Sequence, residues 1–530
     1  ATDAAGVPDR PSSRVPEPLR PWDQPPKLIG WAVAVVMVAI AALTRVWALG
    51  SPKGNIFDEV YYHTESEELL RFGYEDNRGF RFIVHPPLGK WLIAIPQWII
   101  NNHAEFGYRL GPAIAGIVSV LLITRIARRM FRSDVFGAIA GLLLALDGMS
   151  IVQSRVALLD IFLQLFIIAA FGALLLDRDQ ARGRLARLLA DGADLGDGVP
   201  GLGPRPWRLA GGVLLALANA VKWSALPFFI GFLILSLWWD RGALKSAGVR
   251  HSWRGAARRS WLGAIWSLLV APIGAYLLCW LGWFAGENSW NRHWADTHST
   301  KARLTVPFTH WHFSIHWGFV PSPIRSLGAY HLDAYRFHDT LTTTEFPHPY
   351  MSNPWSWLVL GRPVDYYYWC TPAGKGGCDT AGKVQHILLI GTPLMWWAFA
   401  PVMVWLAWHW FTTHDWRAAA VWVAFIAGWA FWLRYPTRTM FLFYLTPLVP
   451  FLIMGVTLAL GALLGPAVRA ADLDPDERAA ALRRRGWGAL GVAAYLGLVV
   501  IDFAWMWPIF TGRALGYHLW NLHMWFQSWI

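Results

Sequence analysis

Long apolar runs, separated by short polar segments, recur along this chain from residue 28 almost to its end. They begin near Leu28, Tyr108, Asp134, Val156, Trp207, Ala225, Trp261, Gln385, Arg417, Thr439 and Trp487. Most have about 20 residues, the length at which a helix crosses the hydrocarbon core of a bilayer. The pattern predicts an all-α polytopic membrane protein with about eleven transmembrane helices. It excludes a β-barrel, whose strands would show short alternating segments.

Clusters of basic residues set the predicted orientation of these helices. The clusters "RIARRMFRSD", "DRDQARGRLARLL" and "DRGALKSAGVRHSWRGAARR" follow the second, fourth and sixth runs, and "DPDERAAALRRRG" precedes the last. All four lie on one side if the amino terminus is cytoplasmic and the carboxyl terminus is outside. Topology thus explains the formal net charge of +12, and no nucleic-acid partner is predicted.

The predicted spans divide the chain into five segments. Residues 1–27 are Pro-rich and polar and carry no signal-peptide pattern, so we expect a disordered cytoplasmic tail. Residues 28–284 are a transmembrane core that includes a first external loop at 50–105, and residues 285–384 are a large external loop. Residues 385–508 are C-terminal transmembrane helices, and 509–530 are an external tail. Within the first loop, "DEVYYHTESEELLRFG" predicts an amphipathic helix on the membrane surface.

Most of the unusual polar chemistry lies on the predicted external face. Asp58 and Glu59 follow the first span, where they are either solvated interfacial acids or a pair placed to take a proton from an incoming hydroxyl or amide. His85 and Lys90 flank a double-Pro turn in "HPPLGK", which is either a structural turn or part of a site lining. No Gly-rich phosphate loop or dinucleotide fingerprint occurs in the sequence, which argues against ATP-driven transport.

Several cations occur near the predicted outer ends of spans. Arg45 could extend to headgroups, whereas Arg109 lies in "YRLGPAIAG", whose small residues allow close helix packing and favour an inward guanidinium. Lys222 shares a helix face with Asn219, and Arg438 breaks the positive-inside trend. Several cations around one external vestibule would suit a lipid phosphate.

The remaining candidates are polar groups near the fourth span and two cysteines. Arg155, Asp160 and the preceding Asp147 either pair with one another or line the vestibule. Cys370 and Cys378 bracket "TPAGKGG" and are either free thiols or, in an oxidising compartment, a local disulfide. The large loop is rich in His and Trp but matches neither HExxH nor a Cys/His finger, so no metal site is predicted.

Seven segments, taken in order, resemble the protein O-mannosyltransferases, particularly their bacterial branch. They are "FDEVYY", "HPPLGKW", "YRLGPAIAG", "LDGMSIVQSRVALLD", "VKWSAL", "HPYMSNPWSW" with "GRPVDYYYW", and "RTMFLFYLTPLVPF". The resemblance implies a C-type glycosyltransferase of the bacterial plasma membrane with its active site outside. It implies inverting transfer of mannose from polyprenyl-phosphate mannose to Ser or Thr of secreted proteins, which the secretion machinery could deliver. No cofactor beyond the lipid-linked donor is expected, and membrane lipids are the other partner.

The resemblance also implies roles for particular residues. Asp58 is the expected base, with Glu59 orienting it or the acceptor, and these two roles could be exchanged. Donor phosphate or sugar binding is expected of Arg45, Arg109, Lys222, Arg155, Arg438, His85 and Lys90, and a structural or acceptor role of Asp147, Asp160 and Asn219. The late motif reads "FYLTP" where eukaryotic members read "HYLP", so Tyr444 receives no role. The large loop is also too short for the β-trefoil domain that eukaryotic members carry.

Three other functions have sequence features that argue for or against them. A C-type enzyme acting on a cell-envelope glycolipid would use the same acids and cations and differ in its acceptor groove. A transporter or lipid flippase would place charges at mid-membrane and show a repeat of two halves, which this sequence lacks. "WWDRG" at residues 238–242 resembles the sequon-reading motif of oligosaccharyltransferases, but the predicted topology puts it on the cytoplasmic face.

Overall fold

A computed structural model describes residues 15–20, 22, 27–76, 84–195, 201–298, 301–305, 312–374, 377–465 and 474–530. The first half contains α1 (Lys27–Val46), α2 (Glu59–Phe72), α3 (Leu88–Ile100), α4 (Glu105–Phe131), α5 (Asp134–Ala145), α6 (Gly148–Arg155), α7 (Asp160–Ala190), α8 (Pro206–Val221) and α9 (Leu226–Ser246). The middle contains α10 (Ser252–Ile265), α11 (Ala271–Leu278), α12 (Leu281–Ala285), α13 (Trp294–Thr297), β1 (Lys301–Thr305), β2 (His312–His316), α14 (Ser322–Thr340), α15 (Pro354–Trp357), β3 (Val364–Gly374) and β4 (Gly377–Leu389). The last part contains α16 (Pro393–Trp397), α17 (Phe399–Thr413), α18 (Trp416–Gly428), α19 (Val449–Leu464), α20 (Pro475–Thr511), β5 (Leu515–Gly516) and α21 (Tyr517–His523).

Eight helices within the described ranges are long and apolar enough to cross a membrane, which confirms the polytopic helical class. They are Leu28–Val46, Glu105–Phe131, Asp160–Ala190, Trp223–Ser246, Trp261–Leu278, Trp416–Arg434, Leu442–Leu464 and Pro475–Thr511. The pair α5 and α6, bent by 57°, would make a ninth. The other two predicted spans correspond to shorter helices, α8 and the pair α16 and α17.

The predicted span beginning near Gln385 is wrong at its start. Residues 377–389 form strand β4, which pairs antiparallel with β3 from Val364↔Leu389 onward, and the helix begins only at Pro393. A short apolar run fits a buried strand as well as a helix, and here Ile387 and Leu388 are buried because the sheet packs against the bundle. The predicted large external loop therefore contains strands and the helix α14.

The predicted amphipathic helix is confirmed as α2. Its buried residues Glu59, Tyr62, Ser66 and Leu69 recur at helical spacing on one face. This face packs on α3, where the Gln97 side chain donates a hydrogen bond of 2.9 Å to the Ser66 hydroxyl. The packing of α2 on α3 fixes the start of α2, and with it the acid pair.

Part of the segment predicted to be a disordered tail is ordered. Glu17–Leu19 form one turn of 3-10 helix, and Leu19 is 1% exposed because it packs against the ends of α7 and α9. Arg182 of α7 donates a hydrogen bond of 2.8 Å to the Pro18 carbonyl. Of the predicted tail, residues 1–14, 21 and 23–26 lie outside the described residues.

Candidate active site

A buried ion pair joins Glu59, at the start of α2, to Arg109 on α4. Arg109 Nε and NH2 each lie 2.8 Å from a different Glu59 carboxylate oxygen, and both side chains are fully buried. The same oxygens accept hydrogen bonds from the backbone N–H groups of Ile56, at 2.9 Å, and Ala157, at 2.8 Å. Arg109 NH1 also donates to the Pro52 carbonyl at 2.8 Å. Glu59 is thus committed to holding the loop before α2 against α4 and the link between α6 and α7.

Asp58, the neighbouring acid, has a different environment. It occupies the N-cap position of α2, where Asp side chains usually accept a backbone hydrogen bond, but its carboxylate makes no such bond. Among the described residues this carboxylate has no hydrogen-bond or ion-pair partner. Burial raises the pKa of Asp58 to about 6; the charge of Lys222 opposes this shift, and that of Asp160 adds to it. A free carboxylate with this pKa is largely ionised at neutral pH and able to accept a proton.

Lys222 and Asp160 form an ion pair close to Asp58. Lys222 follows the last residue of α8, and its Nζ lies 3.0 and 2.9 Å from the two carboxylate oxygens of Asp160, the first residue of α7. Lys222 Nζ also lies 5.7 Å from the ring centre of Phe443 and 6.0 Å from that of Tyr444. An ammonium has three N–H donors, so Lys222 retains one for a further acceptor.

Two buried tyrosines, Tyr62 and Tyr366, lie near these charges. The rings of Tyr366, on β3, and Phe57 stack with centroids 4.3 Å apart, and Gln153 donates a hydrogen bond of 3.3 Å to the Tyr366 hydroxyl. Tyr62, one turn into α2, is 4% exposed. The negative charges of Asp58 and Asp160 act on both tyrosines and help to raise their pKa values. Both tyrosines are therefore close enough to feel the charges of the two acids.

Two histidines and an arginine lie on the side of Lys222. The rings of His85 and His338 have centroids 5.4 Å apart, and His338 lies near the end of α14. Arg438 donates one hydrogen bond to the His338 carbonyl and approaches its Nδ1 at 3.3 Å. Burial and the nearby charges of Lys222, Lys90 and Arg438 hold the pKa of His85 well below its usual range. Arg438 and Lys222 thus both act on His85, and Lys222 also acts on Asp58.

Arg45 and Arg155 occupy the ends of helices. Arg45 donates hydrogen bonds to the Leu144 and Ala145 carbonyls at the end of α5, at 3.0 and 3.2 Å. Arg155 donates to the Trp47 carbonyl, just after α1, at 2.6 Å. A Cβ at Gly116 would lie 2.0 Å from the Ser154 hydroxyl and 2.8 Å from Arg45 Nε, so the small-residue segment of α4 is what admits this packing. Their expected contact with a donor phosphate stays a prediction, as does that of Arg109.

Lys90 lies in a second buried cluster. Its Nζ is 2.8 Å from a carboxylate oxygen of Glu75 and 3.3 Å from one of Glu65, and it is 1% exposed. These contacts tie α2 and the segment after it to α3. A small cavity beside them is lined by Glu75, Trp280 and Tyr330 among others, and not by Asp58. The Lys90 cluster therefore borders a cavity that is separate from Asp58.

Asp147 and Asn219 have local partners. Asp147 caps α6 by accepting a 2.7 Å hydrogen bond from the Ser150 backbone, and it accepts another of 2.7 Å from Trp396 Nε1 on α16. Asn219 donates to the Leu215 carbonyl at 2.9 Å within α8. Neither has a described contact with Asp58, Lys222 or Asp160. Of the three residues expected to be structural or acceptor-binding, Asp160 is the one that pairs with Lys222 and acts on Asp58.

The structure gives the oxidation state of two cysteines. Cys370 is disulfide-bonded, whereas Cys279 is a free thiol. Cys378 lies on β4, and its side chain is outside the described residues. No group of three or more His, Cys, Asp or Glu within the described ranges is arranged to hold a metal ion.

Sequence reasoning did not assign Tyr62, Tyr366 or His338 to this site. Tyr62 and Tyr366 lie in segments that carry the family resemblance, "FDEVYY" and "GRPVDYYYW", so those motifs held a signal that could have identified them. His338 lies in a His-rich stretch with several equivalent candidates, and only the fold selects it.

Comparisons with known proteins show the family of this chain. Residues 35–199 match the family model described as dolichyl-phosphate-mannose-protein mannosyltransferase, and residues 324–529 match the C-terminal four TMM region of protein-O-mannosyltransferase. A polyprenol-phosphate-mannose protein mannosyltransferase of Mycolicibacterium smegmatis is 40% identical over 507 residues, which cover 94% of this chain and 93% of the relative. A protein of the same name from Mycobacterium tuberculosis is 39% identical over 509 residues, covering 95% and 92%.

One solved structure shows the same fold along almost the whole chain. It is the Saccharomyces cerevisiae protein O-mannosyltransferase Pmt1-Pmt2 complex bound to the sugar donor, with a TM-score of 0.68 and 16% sequence identity. The match covers 94% of this chain and 92% of that chain, which confirms the predicted C-type glycosyltransferase architecture. With its relatives at 39 to 40% identity, the chain belongs to the protein O-mannosyltransferase family.

Proposed function

We propose that this chain transfers mannose from polyprenyl-phosphate mannose to Ser or Thr hydroxyls of proteins, with Asp58 as the general base. The names of its relatives support the donor and the class of acceptor. The observation that carries the assignment of the base is the free Asp58 carboxylate beside the Lys222–Asp160 ion pair. Glu59 is committed to Arg109, so of the two adjacent acids Asp58 is the one available for proton transfer.

The proposed reaction is a single inverting displacement. Asp58 accepts the proton of the acceptor hydroxyl while the hydroxyl oxygen forms a bond to the anomeric carbon of mannose. The bond between that carbon and the phosphate oxygen breaks, and its electron pair leaves with polyprenyl phosphate. A β-linked donor gives an α-mannoside, and no sugar becomes attached to the enzyme. The donor is already activated by its phosphate, so we propose that no cofactor is needed.

We assign stabilisation of the leaving phosphate to Lys222 and Arg438. The phosphate gains negative charge as the bond breaks, and fixed cations in a poorly hydrated site stabilise such charge. Asp160 holds the Lys222 ammonium in place through two hydrogen bonds of about 3 Å and leaves it one donor. In this proposal Asp160 is a positioning residue, and Arg45, Arg109 and Arg155 maintain the scaffold around the site.

We further propose that the site faces outward from a bacterial plasma membrane and that the amino terminus is cytoplasmic. Asp160 begins α7 and Lys222 follows the end of α8, whereas Arg182 of α7 and Arg208 of α8 lie toward the opposite ends of these helices. Basic residues concentrate on the cytoplasmic side of membrane proteins, which supports this orientation. Acceptors would then reach the site as secreted chains delivered by the secretion machinery.

The direct test uses purified protein in lipid nanodiscs, mannose-labelled polyprenyl-phosphate mannose and a Ser/Thr-rich peptide. We expect labelled peptide, the same yield in the presence of a chelator, and no labelling from nucleotide-linked mannose. Label appearing in a cell-envelope glycolipid and not in the peptide would overturn the acceptor assignment. Absence of any transfer would overturn the enzymatic assignment itself.

The pH dependence of transfer gives a specific prediction. Because Asp58 acts as a base only when ionised and burial raises its pKa to about 6, kcat/KM should fall tenfold per pH unit below about pH 6. Asp160→Asn removes a negative charge that raises this pKa, so the acid limb should move to lower pH. Lys222→Gln removes a positive charge that lowers it, so the limb should move to higher pH. The measurement is a pH profile of initial rates for each variant.

A matched variant separates this effect from general changes of surface charge. Glu287→Gln removes an exposed carboxylate whose side chain is 82% exposed, and it should leave the acid limb unchanged. Shifts of the same sign in Asp160→Asn and Lys222→Gln would contradict the assignment of the limb to Asp58.

A further inference from the structure

His338 connects three segments that are distant in sequence. It lies on α14, its Nε2 is 3.0 Å from the Val84 carbonyl, and its Nδ1 is 3.3 Å from Arg438 NH2. Val84 and His85 precede the double-Pro turn, and Arg438 precedes the "FLFYLTP" segment that carries Tyr444. The imidazole of His338 therefore links Arg438 to the first predicted external loop.

The partners of the imidazole determine its protonation state. A carbonyl oxygen only accepts hydrogen bonds, so Nε2 must carry a hydrogen and donate it to Val84. A guanidinium only donates, so Nδ1 must be unprotonated to accept from Arg438. His338 is thus a neutral imidazole with its hydrogen on Nε2. Burial and the positive charge of Arg438 lower its pKa to about 4, which agrees with this tautomer.

Arg438 keeps donors for another ligand. Of its five N–H groups, one is directed to the His338 carbonyl and one to Nδ1, while Nε has no acceptor within the described ranges. Its backbone is fixed as well, since Arg438 forms an isolated β-bridge with Thr342, just after α14. A fixed backbone and two acceptors on His338 restrict rotation of the guanidinium, so its remaining donors keep fixed positions.

Arg438 and Lys222 act on the same small region. Both positive charges lower the pKa values of His85 and His338, and the rings of these histidines are neighbours. Trp223, next to Lys222 in the chain, has its ring centre 6.2 Å from that of His338. Lys222 is already paired with Asp160, whereas Arg438 has no carboxylate partner among the described residues. The guanidinium of Arg438 is therefore the cation whose charge is not neutralised by an acid, and a phosphate anion would supply the missing counter-charge.

We infer that His338 is a positioning residue, which rests on the proposed function: as a neutral acceptor it orients Arg438 toward the phosphate of the polyprenyl donor. Loss of the acceptor frees the guanidinium to rotate and weakens binding of the phosphate. Loss of the bond to Val84 loosens the tie to the first loop and leaves Arg438 in place. The two ring nitrogens thus have separable roles.

Two substitutions distinguish these roles. An Asn side chain places its amide oxygen near the position of Nδ1, so His338→Asn keeps the acceptor for Arg438 and loses the bond to Val84. A Gln side chain places its amide nitrogen near the position of Nε2, so His338→Gln keeps the bond to Val84 and loses the acceptor. Tyr335→Ala is the control on the same helix, because Tyr335 is 60% exposed.

We expect His338→Gln to weaken binding of polyprenyl phosphate, and to raise the donor KM, by about ten- to a hundredfold, the effect of a hydrogen bond to a charged group. His338→Asn should change the affinity for polyprenyl phosphate and the donor KM by less than about threefold, because the bond that it loses is a neutral hydrogen bond of small free energy. In an Arg438→Met background, His338→Gln should have no further effect. The kcat at saturating donor should change less than KM in every case.

Binding of polyprenyl phosphate is measured without turnover, so this test does not depend on transfer. If His338→Asn weakens binding as much as His338→Gln, or if His338→Gln has the same effect with and without Arg438, the inference is wrong. The wild type and the variants could bind polyprenyl phosphate with the predicted order of affinities while the wild type transfers no mannose. In that case the proposed function fails and the role of His338 stands.

Discussion

Asp58→Asn is expected to lower kcat for mannose transfer by about 10² to 10⁴-fold, the usual contribution of a positioned general base. The substitution keeps the size of the side chain and removes its ability to take a proton. Asp58 has no described hydrogen bond or ion pair to lose, so the thermal stability and the donor KM should change little. The measurements are initial rates with labelled donor and an unfolding scan of the same preparation.

The control for this prediction is an exposed acid outside the site. Asp296, on α13, has a side chain that is 54% exposed, and Asp296→Asn should leave kcat unchanged. Retention of wild-type kcat by Asp58→Asn would assign the base to another group. A loss of kcat accompanied by a large fall in unfolding temperature would instead show that Asp58 supports the fold.

Sequence alone identified the acid pair but could not separate its two members. Asp58 and Glu59 are adjacent, have the same charge and belong to the same motif. Their difference comes from Arg109 and from the backbone of Ala157, which are 50 and 98 residues from Glu59 in the chain. A helix start turns neighbouring side chains in different directions, and only tertiary packing determines which of them meets a buried guanidinium.

The same reasoning explains which parts of the fold were predictable. Long apolar runs specify helices because a run of bilayer length can satisfy its backbone hydrogen bonds within itself only as a helix, so the order of the helices is predictable. The prediction of a helix from Gln385 is wrong because a short apolar run fits a buried strand as well as a helix, and the pairing of this run with β3 is seen only in the fold. His338 was missed for a similar reason, since its partners Val84 and Arg438 are 254 and 100 residues away.

The second large effect is expected on stability, at the buried pair of Glu59 and Arg109. Arg109→Met should destabilise the fold by about 3 to 5 kcal/mol, because it leaves the Glu59 carboxylate buried without its cation. Glu59→Gln leaves the Arg109 guanidinium without its counter-charge, but the Gln amide oxygen and the Pro52 carbonyl can still accept hydrogen bonds from it. The loss of folding stability should therefore be smaller than for Arg109→Met. The measurement is the apparent unfolding temperature in nanodiscs, together with the rate of thermal inactivation because unfolding of membrane proteins is commonly irreversible.

The double variant Glu59→Gln with Arg109→Met tests whether the two side chains act as one unit. Removing both charges avoids an unpaired buried ion, so the combined loss should be clearly less than the sum of the single losses. The kinetic pattern of the double variant should also differ from that of Asp58→Asn. Its unfolding temperature should fall, whereas the kcat of the protein that remains folded should fall far less than it does in Asp58→Asn. Additive losses would mean that the two residues contribute independently. Glu59→Gln could instead keep wild-type stability and lower kcat as far as Asp58→Asn does. That result would exchange the roles assigned to the two acids. A residue that only anchors the loop cannot stop proton transfer while the fold stays intact.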